Sequence, residues 1–94
     1  LEAKEGLALI NGTHLMAGTG ALLVNDMDRL FASAVGAAAM AIDAVRASHS
    51  FLDPRVHAAR NQPGQADVAA RVLGMLQGSQ IVESHKVNDP RVQD

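Results

Sequence analysis

The sequence predicts an all-α fold, one long helix followed by shorter ones, and three observations point there. Apolar residues recur at Met16, Leu23, Met27, Leu30, Phe31, Ala34, Val35, Ala38, Ile42 and Val45, a spacing that keeps them on one helical stripe. Hydrophobic residues make up 48 % of the chain and aromatic ones only 2 %, so its apolar bulk is mainly alanine with Leu and Val, which suits helices packed closely through small side chains. A second periodic run, Val68, Ala69, Val72, Leu73 and Leu76, is followed by Gly78 where a left-handed helix-ending residue belongs.

Taken in order, the chain opens on Lys4-Glu5-Gly6-Leu7-Ala8-Leu9-Ile10-Asn11-Gly12-Thr13. Leu7, Leu9 and Ile10 are apolar enough to be expected in a buried region, which would carry Asn11 to its edge. Asn-Gly is also a common turn, and Thr13 can N-cap the long helix after it. That helix is expected from His14 to Arg46, with Asp26 and Arg29, and Asp43 and Arg46, spaced to pair on its exposed face. Between Leu30 and Ile42 only small side chains surround the stripe, so neighbours should cover it on several sides. At about 1.5 Å per residue such a helix runs about 50 Å. A compact globule of 94 residues has a radius of gyration of roughly 12 Å, so the helix either breaks, with Gly36 the candidate, or belongs to something larger.

Ser48 to Leu52 interrupts the pattern. Asp53 and Pro54 then read as N-cap and first residue of a short helix through about Arg60. Asn61-Gln62-Pro63-Gly64 is the strongest turn signal, and the helix carrying Val68 to Leu76 comes after it. Beyond Ser79 the signal weakens: Ile81 and Val82 fit either a helix or a short extended piece, and Asn88-Asp89-Pro90 is a turn.

Ninety-four residues bound the chain to one domain. There is no cysteine, so no disulfide framework or thiolate metal site, which suits the cytoplasm. A net charge of −2 with scattered Lys and Arg leaves no basic stripe for nucleic acid. The uncharged middle stretch, Leu30 to Ile42, falls short of the ~20 apolar residues that span a membrane, and no basic-then-apolar leader is present.

Other chemistry finds little support. His14, His49, His57 and His85 have no HxxxH or HExxH spacing, which argues against a metal site. Gly18-Thr19-Gly20 lacks the rest of either nucleotide-loop signature and sits in a helical pattern. The serines lack a nucleophile elbow. Gln65 is expected to satisfy backbone groups at a helix start. Asn11 is the candidate for chemistry, because an amide donates and accepts at once and can hold a carboxylate or carbonyl, with Gly12 permitting close backbone approach. On spacing alone, the turn is the simpler reading.

Three blocks shift that balance. Lys4 to Thr13, then Phe51-Leu52-Asp53-Pro54-Arg55-Val56-His57-Ala58-Ala59-Arg60 with Pro63-Gly64-Gln65, then Asp89-Pro90-Arg91-Val92-Gln93-Asp94, resemble in order three motifs of the aromatic amino-acid ammonia-lyases. The Asp-Pro-Arg-Val-His wording is most similar to the histidine-specific members. The resemblance implies a bundle of long central helices in a homo-oligomer, a tetramer in the family. This chain would be an interior fragment, one segment of the central helical domain across residues 1–94, with the remainder of the subunit as partner and a small amino acid as substrate. It also implies a methylidene-imidazolone electrophile, formed in the family from Ala-Ser-Gly. The chain offers only Ala32-Ser33-Ala34 and Ala47-Ser48-His49, and it has no tyrosine to match the family's base. Asn11 would be the active-site asparagine beside the ring and the substrate carboxylate, and Gln93 a glutamine near the same site. The parent would convert L-histidine to urocanate and ammonia. Alternatives are a phenylalanine or tyrosine lyase or aminomutase, and a non-catalytic helical interaction module.

Overall fold

The computed structural model describes residues 1–91; Gln93 therefore lies outside the described residues. The helices are α1 (Glu5–Asn11), α2 (His14–Ala44), α3 (Pro54–Arg60), α4 (Pro63–Met75) and α5 (Gln80–His85), with a single 3-10 turn at Ser50–Leu52. No strand occurs among the described residues, and the all-α expectation holds. The chain divides into two compact units, Leu1–Phe31 and Ala32–Asp94, and α2 passes from one into the other as an unbroken helix. It does not break at Gly36, where no atom crowds the missing side chain.

In the first unit, Lys4 takes a left-handed conformation and its carbonyl accepts from Ala8 N–H, which starts α1. The Glu5 carboxylate reaches back to the N–H of Glu2, satisfying a donor ahead of the first turn. Helix α1 stops at Gly12, whose backbone is extended, and α2 begins as the Thr13 carbonyl accepts from Ala17 N–H. A Cβ at Gly12 would meet the Ala8 carbonyl oxygen at 3.0 Å, so the junction is built on a residue without one.

The burial expected here is not found. Leu7, Leu9 and Ile10 are 58, 70 and 81 % exposed, and no residue of the unit is buried. The stripe Met16, Leu23, Met27 and Leu30 is likewise exposed. A hydrophobic face becomes a core only where a second element lies against it, and this unit supplies none. Leaving that surface in water costs about 25 cal/mol per Å². The isolated 94-residue chain should therefore self-associate or stay partly folded. A compact monomer in sedimentation that also unfolds cooperatively would contradict this.

One helical stretch, within Glu5–Ala44, is long and apolar enough by length and composition to cross a membrane. Reading only Leu30 to Ile42 missed it, because Gly6 to Asn25 is also free of formal charge. Gly12 and Thr13 interrupt the helix inside that run.

The second unit has a core. Val35 and Ala39 of α2 join Leu52 of the 3-10 turn and Ala69, Val72 and Leu76 of the α4 region, with Ile42, Val68 and Leu73 half-buried against them. The i, i+3, i+4 pattern read from Val68 to Leu76 is thus the buried face of α4, which packs on α3 and on the 3-10 turn. Helix α2 ends in a Schellman closure: Arg46 is left-handed at φ 56°, its N–H reaches the Asp43 carbonyl, and Ala47 N–H reaches that of Ile42. Gly78, at φ +77°, supplies the left-handed residue after α4 as expected. Ser79 caps α5 by accepting from Val82 N–H, and its hydroxyl donates to Asp43 at 2.8 Å. Asp43, expected to pair with Arg46 on the surface, faces this inner hydroxyl, because Arg46 has already left the helical path.

Asp53 caps α3 as the sequence indicated, accepting from Arg55 N–H at 2.9 Å. The same carboxylate takes the Arg55 guanidinium, which with that cap holds its pKa down at about 2, against an ordinary 3.8. A lowered carboxylate pKa stabilises the fold fully above about pH 4, and the contribution fades as pH falls toward 2. Asp53→Asn should therefore lower the urea midpoint at pH 7, and the gap from the parent should largely close at pH 2. An equal gap at both pH values would mean the charge is irrelevant.

Candidate functional site

Asn11 is the last residue of α1, next to the extended Gly12, and it is exposed. It is not a turn residue, since its backbone closes a helix. Its side-chain amide hydrogen-bonds to no group among the described residues. The amide therefore keeps two N–H donors and a carbonyl acceptor unengaged. A hollow at the α1–α2 junction is lined by Leu1, Glu5, Ala8, Leu9, Gly12, His14 and Leu15, and its wall is mostly apolar. Asn11 is not among the lining residues. Gln93, the second expected site residue, lies outside the described residues, so its placement beside Asn11 stays with the resemblance.

The second unit holds a polar pair that differs from the sequence expectation. Gln65, expected to serve backbone groups, sits with its Nε2 2.8 Å from His57 Nδ1. With the amide donating, His57 carries its proton on Nε2, which is buried without a partner among the described residues. His57 lines an apolar hollow with Ala38, Ile42, Phe51, Leu52 and Val68. His85 is arranged the other way round: its Nδ1–H donates to the Ile81 carbonyl at 2.7 Å, leaving a bare, buried Nε2. Both rings are more than nine-tenths buried, and they read as core histidines. Among the described residues no three His, Cys, Asp or Glu side chains converge as a metal site.

The geometry thus offers an exposed, unengaged amide at the end of α1, with Glu5 and His14 among the residues lining the hollow at the same junction. Sequence comparison supplies the frame. The family model for aromatic amino acid lyases matches residues 1–94. The chain belongs to the aromatic amino acid lyase family. Among curated relatives, the histidine ammonia-lyases of Myxococcus xanthus (strain DK1622) and Koribacter versatilis (strain Ellin345) are 47 % and 46 % identical to it over 94 residues. That of Streptomyces avermitilis is 43 % identical over the same length. In each case the match covers all of this chain and 18 % of the relative. No solved structure matches the chain.

Proposed function

We propose that the full-length protein is a histidine ammonia-lyase, eliminating ammonia from L-histidine to give urocanate, and that Asn11 is one wall of its active site. The observation that carries this is the identity of 43–47 % to histidine ammonia-lyases along the whole chain, including the segment that ends on Asn11. The exposed, unengaged amide of Asn11 fits a group that meets a ligand brought by another part of the protein. In this reading its N–H donors would help to hold the substrate carboxylate and the methylidene-imidazolone ring, favouring negative charge that develops in the reaction. Held by α1, the amide is aimed before substrate arrives and spends little reorganisation in the reaction. The ring, when present, supplies the electrophile that makes the amino group a leaving group. Gln93 belongs to the same wall.

Residues 1–94 serve as one segment of the central helical domain, with no complete domain boundary inside. The exposed stripe of α1 and α2 is covered by the rest of the subunit and its copies in a homo-oligomer, and the enzyme works in the cytoplasm. The test is to incubate the full-length protein separately with L-histidine, L-phenylalanine and L-tyrosine. Urocanate from L-histidine, without cinnamate or coumarate from the others, is expected. Turnover of an aromatic substrate in preference to histidine would move the protein to another branch of the family.

A further inference from the structure

Gly12 stands between Asn11, the last residue of α1, and the start of α2. Its backbone, at φ −68° and ψ 134°, lies in the extended region that every residue adopts, so no conformational demand explains a glycine there. Space does. A Cβ on Gly12 would stand 3.0 Å from the Ala8 carbonyl oxygen, 3.3 Å from His14 Nδ1 and 3.6 Å from the Leu9 carbonyl oxygen. Comfortable packing of such atoms begins at about 3.5 Å. Gly6, Gly18 and Gly20 of the same unit have nothing within 4 Å of the corresponding point, so the crowding belongs to this one position.

The two sides of the gap yield differently. His14 presents the ring of an exposed side chain, which can swing aside by rotation about its own bonds. Ala8 presents backbone. Its carbonyl is among the last four of α1, and it recedes only if the peptide planes of that final turn move with it. The turn ends on Asn11. No residue of α1 is buried, and a helix of 7 residues is marginal by itself, so α1 gives way before the 31-residue α2 does. A methyl at position 12 therefore acts first on where the Asn11 amide is held.

We infer that Gly12 is a positioning residue: by keeping the gap between the end of α1 and the start of α2 free of a side chain, it sets the placement of the Asn11 amide. This rests on the lyase reading in which Asn11 belongs to the active site.

The experiment uses the full-length enzyme as parent, Asn11→Ala, Gly12→Ala and the double variant. It is read by L-histidine turnover per folded active site and by hydrogen exchange in a peptide spanning residues 5–13. Gly12→Ala is expected to speed exchange in that peptide about threefold or more, because the last turn of α1 is loosened. Its kcat/KM should fall about tenfold, short of the 10²-fold that a full 1 Å misplacement costs, since a few tenths of an ångström clear the methyl. In the Asn11→Ala background the same substitution should cost less than about twofold, because a residue that acts through the amide has no lever once the amide is gone. Should Gly12→Ala fail to fold, the cycle is repeated on a His14→Ala parent, where the ring is gone and the methyl has room on one side. A loss of about threefold, again absent without Asn11, is expected there. A variant that still fails to fold would make Gly12 a folding requirement and overturn positioning. An undiminished loss in the Asn11→Ala background, kcat/KM within twofold of the parent, or unchanged exchange over residues 5–13 would each overturn it too. A parent with no L-histidine turnover would instead sink the lyase reading and the positioning role with it, while faster exchange in Gly12→Ala would still show that the glycine holds the end of α1.

Discussion

Asn11→Ala in the full-length enzyme is expected to cost 10²–10³ in turnover per folded active site, about 3 kcal/mol of transition-state stabilisation, the usual loss when one preorganised donor is removed. Stability should hardly change. The Asn11 side chain caps nothing and bonds to nothing among the described residues, and it stands exposed in the last turn of α1. Alanine is the better helix former there, by a few tenths of a kcal/mol. The denaturation midpoint should therefore stay level or rise slightly while activity falls. Active-site titration beside a urea melt separates the effects. A variant whose activity per folded molecule stayed within a few-fold of the parent would remove Asn11 from the site.

The second large effect is complete loss of activity in the 94-residue chain assayed alone. It contains no tyrosine and no Ala-Ser-Gly tripeptide, so it carries neither a match for the family's base nor the precursor of its electrophile. Elimination of ammonia asks for an activated leaving group and a base for the β-proton, and an amide supplies neither. Purified chain of verified mass, mixed with L-histidine, should form no urocanate above the uncatalysed background. Sustained turnover would mean that the chemistry runs through core residues, with His57 and His85 the first to re-examine.

Much of the fold was legible because its signals are local. Asp53 followed by Pro54 fixes a helix start through one side-chain acceptor and one locked dihedral, and both lie within three residues. Gly78 ends the α4 region for an equally local reason. The family was legible from three short motifs, and the comparisons bear it out over residues 1–94. Less could be read at the polar side chains. Gln65 next to a helix start looks like a backbone cap until α3 and α4 bring His57 against it. Asp-Pro-Arg-Val stands at both 53–56 and 89–92, yet nothing in either copy says that Arg91 meets a helix end and Arg55 meets water.

By itself, the sequence determined the helical class, the limits of α2 to within two residues, the buried face of α4, and membership of the lyase family through motif wording. Periodicity and capping are properties of neighbouring residues, so they survive without the rest of the molecule. Only the tertiary structure decided which apolar stripe is a core. Val35 and Ala39 are buried because the 3-10 turn and α4 lie on them, whereas Leu9, Ile10 and Leu23 carry equally apolar side chains and stay exposed. It also decided that Asp43 takes Ser79 and that Arg91 closes the end of α2, contacts spanning 36 and 45 residues. Burial and long-range hydrogen bonds require a second surface at the right distance, and spacing along one chain does not specify that surface.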